Sequence, residues 1–136
     1  MRRLCKATGL DPKTIDFVDA ERSVEQEDAL KQSVLHQLAC GTLNRITGLK
    51  FDEAERLWEE RLGTAGSEVV ECHLSHYPDF AFMLTADNVL LRLKALLEFD
   101  GDTVSVCSSD LSKGLSIDIY TEGGDTLFEA DSWGNW

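Results

Sequence analysis

The sequence predicts an α+β fold, with N-terminal helices packed on a mostly antiparallel C-terminal β-sheet, and three observations carry that expectation. Apolar residues recur at helical spacing up to about Leu62, they alternate with polar residues from about Glu68 onward, and the small-residue connector Gly63-Thr64-Ala65-Gly66-Ser67 lies where one pattern gives way to the other. The 136 residues fit one domain, 1–136, made of a helical part, 1–63, and an acidic, sheet-rich part, 67–136.

In chain order, Asp11 and Pro12 form a helix-start signal, so a short helix carrying Ile15 and Val18 on one face is expected to run to about Arg22. Ser23 and Gln26 read as a capping box opening the main helix, whose apolar stripe is Leu30, Val34 and Leu38. Gly41 and Gly48 are its two candidate stops, which leaves Thr42 to Thr47 as more helix or a connector. Asp52 and Glu55 repeat the capping logic before Ala54, Leu57, Trp58 and Leu62, a helix from about Glu53 to Leu62.

Beyond the connector, Glu68 to Ser75 and Phe80 to Thr85 read as strands around the turn at Tyr77-Pro78-Asp79. Three more strands are centred on Val104 and Val106, on Leu115, Ile117 and Ile119, and on Leu127 or Phe128, the last two joined by the hairpin turn Glu122-Gly123-Gly124-Asp125. Val89 to Phe99 fits either element; its helix-forming Leu, Arg, Lys, Ala and Glu, with Asp87 to cap and Gly101 to stop, favour a helix.

Thirteen Lys and Arg against 25 Asp and Glu give a formal charge of −12, and the charge is uneven. Residues 1–66 hold ten basic and twelve acidic side chains, net −2, whereas residues 67–136 hold three and thirteen, net −10. Such a surface repels phosphate backbones and anionic lipid, so neither direct nucleic-acid binding nor membrane binding is expected, and a basic protein partner is favoured. No apolar run approaches the ~18–20 residues of a membrane-spanning helix, and the opening Met1-Arg2-Arg3-Leu4-Cys5 lacks the apolar segment of an export signal. Cys5, Cys40, Cys72 and Cys107 are scattered without a C-x-x-C pair and read as reduced thiols, which together with those absences points to the cytoplasm.

No nucleotide-binding or hydrolase motif is present, so no cofactor is expected. Cys72-His73-x-x-His76 has metal-ligand residue types, but on a strand Cys72 and His76 lie about 13 Å apart and His73 points to the opposite face, so no metal is expected there. His36 and Cys40 are one helical turn apart, yet no third residue orients them as a catalytic pair. Asp100-Gly101-Asp102 lacks the remaining ligands of a calcium loop and reads as a turn.

The C-terminal meander is the more informative region. Alternation sends Leu115, Ile117 and Ile119 to the core and leaves Ser116, Asp118 and Tyr120 outside; across the Gly123-Gly124 turn, Glu129 and Asp131 join that outer set while Phe128 and Ala130 join the core. An acidic patch of Asp118, Tyr120, Glu129 and Asp131 is therefore expected, with Trp133 and Trp136 either anchoring an interface beside it or folding back over the core. The corresponding functional expectation is a non-enzymatic acidic binding protein that masks a basic partner, such as a toxin or nuclease, in the manner of an intracellular inhibitor or immunity protein. The alternatives are a chaperone for an exported protein and a small enzyme whose site combines His73 or His76 with a distant Asp or Cys.

Overall fold

A computed structural model describes residues 2–136. Its helices are α1 (Arg2–Thr8), α2 (Ala20–Ala39), α3 (Phe51–Leu62) and α4 (Ala86–Asp100), with one 3₁₀ turn at Pro12–Thr14. Its strands are β1 (Asp16–Phe17), β2 (Asn44–Leu49), β3 (Val69–Leu74), β4 (Phe82–Thr85), β5 (Thr103–Cys107), β6 (Gly114–Glu122) and β7 (Asp125–Trp133). They form one antiparallel sheet in the order β1-β4-β3-β5-β6-β7-β2. The α+β expectation holds, with helices dominating the first half and strands the second. Both edge strands nevertheless come from the half expected to be helical.

Several N-terminal boundaries differ from expectation. Pro12 does start a helical turn, and the Asp11 carboxylate accepts from Lys13 N at 3.0 Å, but the turn ends at Thr14 and the chain then extends into β1. Asp19, not Ser23, caps the main helix. Ser23 lies inside α2, where its hydroxyl accepts from Ala81 N at 2.7 Å and donates to the Pro78 carbonyl at 2.9 Å, pinning the helix to the β3–β4 connection. The segment after Gly41 is neither helix nor connector: Asn44 to Leu49 pair with β7 as an exposed edge strand. Its pattern of exposure hides the usual alternation, which is why the sequence does not announce it. The cap of α3 sits at Lys50, whose N–H donates to the Glu53 carboxylate at 2.9 Å, two residues earlier than the cap expected at Asp52.

The sheet half follows its pattern more closely. Val89 to Phe99 is helical: Thr85 caps α4 and Gly101, at φ +80°, ends it in the left-handed conformation that favours glycine. Gly123 and Gly124, at φ +59° and +83°, make the tight β6–β7 hairpin with the paired positive φ values that such a turn requires.

The main core lies on the sheet face covered by α1, α3 and α4, where Leu4, Trp58, Leu62, Leu93 and Leu96 meet Val70, Cys72, Leu74, Val104, Val106, Leu115 and Ile117. Helix α2 packs on the opposite face through a second, smaller cluster of Leu30, Cys107 and Trp133, bordered by Val34, Leu43 and Leu111. Leu38, the third residue of the expected stripe, stays exposed. Because α2 covers only part of its face, the rest of the sheet is left polar and partly open. Among the described residues no helix is long and apolar enough to cross a membrane.

Candidate functional site

Strand alternation places Val70, Cys72 and Leu74 of β3 in the core and turns Glu71 and His73 to the α2 side. The same alternation on β5 turns Thr103, Ser105 and Cys107 that way, and antiparallel register then aligns the polar positions into rows. One row crosses five strands: His73 opposite Ser105, Ser105 opposite Ser116, Ser116 opposite Asp131, and Asp131 opposite Arg45. A parallel row runs from Thr103 to Asp118 to Glu129. Between these rows and α2 lies a groove of about 560 Å³, to which α2 contributes Glu27, Leu30, Lys31, Val34 and Leu35.

The expected acidic residues do meet here, but their surroundings differ from those of a free surface patch. Asp118 and Glu129 face each other across β6 and β7, and Asp131 is buried at 3% exposure. Arg45 holds Asp131 by two charge-assisted hydrogen bonds, Nε to Oδ1 at 2.8 Å and Nη2 to Oδ2 at 3.0 Å, and lies 3.2 Å from Glu129. Hydrogen bonding to Asp131 secures the guanidinium in its charged form. Asp118, Glu129 and Asp131 sit close enough for one ion, yet Arg45 already supplies the cation among them.

Burial raises the Asp118 carboxyl above its ordinary range, a hydrogen bond from the Thr103 hydroxyl opposes the shift, and the Asp131 and Asp102 charges add to it. Glu129 and Glu27 are likewise raised, chiefly by burial, against the lowering pull of Arg45 and Lys31 respectively. For these three groups the folded chain binds the proton more tightly than the unfolded chain does. Their contribution to stability is therefore most favourable below the ordinary carboxylate range, near pH 4, and declines as pH rises through the shifted values. Accordingly Asp118→Asn, which keeps an acceptor for Thr103, is expected to stabilise the protein near neutral pH by an amount within the ~0.5–2 kcal/mol typical of charge optimisation. Thermal melts should show that gain vanish in acid; a gain independent of pH would contradict the assignment.

Tyr120 is half-buried, and its hydroxyl accepts from Gly48 N at 2.8 Å, so it ties β6 to the irregular part of β2. Of the two placements expected for the tryptophans, the structure has both indoles folded back against the core. Trp133 is 1% exposed, its indole N–H donates to the Leu111 carbonyl at 3.1 Å, and Trp136, 6% exposed, closes the main core beneath an Arg61 to Trp136 carbonyl hydrogen bond. Neither presents an apolar surface to a partner, because each is buried within one of this chain's own core clusters.

The other sequence candidates separate. His36 and Cys40 touch, with 3.7 Å between Nε2 and Sγ, on an exposed helix face with no third group. Cys72 lies in the core, while His76 is exposed and its Nδ1 is 2.6 Å from the Asp100 carbonyl. That backbone contact and the Asp100 charge raise the His76 pKa. The Asp100 carboxylate accepts from Ser75 Oγ, His76 N and Thr103 N at 2.7–2.9 Å, so it organises the turn, as the sequence suggests. Burial pushes the Cys72 and Cys107 thiols up, which keeps them protonated.

Residues that the sequence reading did not assemble are Arg45, Glu71, Ser105 and Cys107. A signal was present: a polar residue stands at alternate positions of β3 and β5 between core residues, which marks a second face that something must cover. Comparison of the chain with protein-family models, with curated proteins and with solved structures finds no significant match.

Proposed function

We propose that this protein is a non-enzymatic binding module that receives a Lys or Arg side chain of a basic partner in the groove beneath α2, and so masks a functional basic surface in the manner of an inhibitor or immunity protein. The charge of the groove carries this reading. Its walls present the carboxylates of Glu27, Asp102, Asp118 and Asp131 against Lys31 and Arg45. Lys31 is 3.7 Å from Glu27, and Arg45 is engaged by Asp131 and Glu129. Asp118 and Asp102 have only hydroxyl side-chain donors, Thr103 and Ser75, so an arriving cation would offset the burial of Asp118 and the repulsion it feels from the exposed Asp102.

With the tryptophans buried, the apolar part of such an interface falls to α2. Leu35 is 60% exposed at the groove and Leu38, one turn on, is 46% exposed. A central charge flanked by apolar side chains is a common layout for protein recognition. The four unpaired cysteines support a cytoplasmic site of action.

The test is the doubly charge-reversed variant Asp118→Lys with Glu129→Lys, leaving the structural Asp131 intact. A basic protein retained from source lysate and released by rising salt would be purified, and its affinity measured for both forms of the chain. The variant should bind at least about tenfold more weakly and with a flatter salt dependence. Equal affinity and equal salt dependence, with the variant's circular dichroism unchanged, would refute the reading.

A further inference from the structure

Under the N-terminal half of α2 lies a trio beside the cation-receiving groove, which only His73 among them lines. Glu71 and His73 project from β3 and Cys107 projects from β5, where it pairs directly with Glu71. All three are buried, Glu71 at 1% exposure, His73 at 3% and Cys107 at 0%. One carboxylate oxygen, one imidazole nitrogen and the thiol sulfur lie within 4.8 Å of one another.

Their polar atoms lack the partners that burial demands. Glu71 Oε1 and both ring nitrogens of His73 make no hydrogen bond. Leaving such groups unpaired costs about 1–3 kcal/mol each, and more for a charged one. The approach of His73 Nε2 to Glu71 Oε1, 3.6 Å, is long for a hydrogen bond. It is close to the separation of about 3.4 Å that two ligands take around a tetrahedral ion with bonds of about 2.1 Å.

We infer that Glu71, His73 and Cys107 form a transition-metal site, with zinc(II) the ion that this sulfur, nitrogen and oxygen donor set fits best. Coordination replaces the Cys107 S–H proton, which leaves to solvent, and the resulting thiolate and the Glu71 carboxylate together balance the two charges of the ion. Glu71 Oε1 and one His73 ring nitrogen thereby gain the partner they lack, and the ion with its two anionic ligands is neutral overall. The Glu71 ligand is already supported from outside: Gln26 of α2 donates from Nε2 to Glu71 Oε2 at 3.2 Å and to the Ser109 carbonyl at 2.9 Å, which orients the carboxylate with Oε1 free for the ion. Because His73 also lines the groove, an ion can arrive from the solvent side. Three protein ligands leave a fourth position for water or a ligand atom.

The sequence motif Cys72-His73-x-x-His76 therefore contributes only His73, since Cys72 belongs to the opposite face and His76 to the Asp100 turn. The soft ligand comes instead from Cys107, 34 positions further on than His73 and brought alongside by strand pairing.

The experiment is a titration of chelator-treated protein with zinc(II) by calorimetry and with cobalt(II) by absorbance, in a His36→Ala, Cys40→Ala background that removes the exposed His–Cys pair. One ion should bind per chain, and cobalt should give a thiolate charge-transfer band with the strong visible bands of tetrahedral coordination. Cys107→Ser should abolish that charge-transfer band, and Gln26→Ala should weaken zinc binding by about 10–100-fold. Failure to bind zinc, or a charge-transfer band that survives Cys107→Ser, would overturn the site. Should Cys107→Ser fail to fold, alkylation of the background protein in urea below its unfolding transition, where opening of the fold exposes the buried thiol, decides the matter: zinc must slow the modification of Cys107, and equal rates with and without zinc reject the proposal.

Discussion

Replacing Trp133 by alanine is expected to lower the free energy of unfolding by about 3–5 kcal/mol, the range for emptying a buried aromatic site. The indole is the largest member of the cluster that attaches α2 to the sheet, packed with Leu30 and Cys107 and hydrogen-bonded to the Leu111 carbonyl. Its position also explains a glycine. A Cβ built on Gly114, which pairs with Trp133 across β6 and β7, would come 2.2 Å from the Trp133 ring. Gly114→Ala should therefore be costly in the wild-type chain and much cheaper in the Trp133→Ala background, where the ring is gone. Urea unfolding of the four chains measures that coupling. Additive costs, or a Trp133→Ala loss below about 1 kcal/mol, would mean that the ring does not hold the second cluster together.

Replacement of Arg45 by alanine should cost about 2–3 kcal/mol near neutral pH. Breaking a fully buried ion pair typically costs about 3–5 kcal/mol, and the Arg45 side chain is 36% exposed, so solvent screening lowers the figure. The cost comes from what remains: Asp131, its side chain 4% exposed, beside Asp118 and Glu129 with no cation among them. Arg45 pulls the Asp118 and Glu129 carboxyls down, so without it these two hold protons more tightly in the folded chain, and the penalty is present above their unfolded values, near pH 4, and fades as pH falls toward them. Thermal melts should show the variant approaching the wild type in acid, and Asp131→Asn in the Arg45→Ala background should recover part of the loss. A penalty that is constant with pH would point to lost packing of the Arg45 stem instead.

These two substitutions separate the supports of one face. Trp133 seats the helix on the sheet, and Arg45 makes the acidic row beneath it tolerable. The groove between them carries the proposed function, so Asp118→Asn is informative in a second way: gain of stability with loss of partner binding is what a site that carries strain for function should show.

Much of this architecture was legible one residue at a time. Periodicity located α3, helix-forming residues and the stop at Gly101 favoured α4 where periodicity fitted either element, alternation sorted β6 and β7 into Leu115, Ile117, Phe128 and Ala130 inward and Ser116, Asp118, Glu129 and Asp131 outward, and Gly123-Gly124 set the hairpin. Those features depend on local backbone geometry, which neighbouring residues dictate. The sequence by itself also determined the uneven charge that makes one face of the sheet acidic.

Tertiary structure alone decided which surfaces stay open. Arg45 sits on an edge strand with no alternation to betray it, and only pairing with β7 brings it to Asp131, 86 residues away. Trp133 and Trp136 are compatible with an interface or a core until α2 and α3 are in place to receive them. Cys107 and His73 become neighbours through a β3–β5 register that no local pattern specifies. In each case the deciding term is burial against a distant element, and burial depends on which faces the whole chain brings together rather than on the residues beside it in sequence.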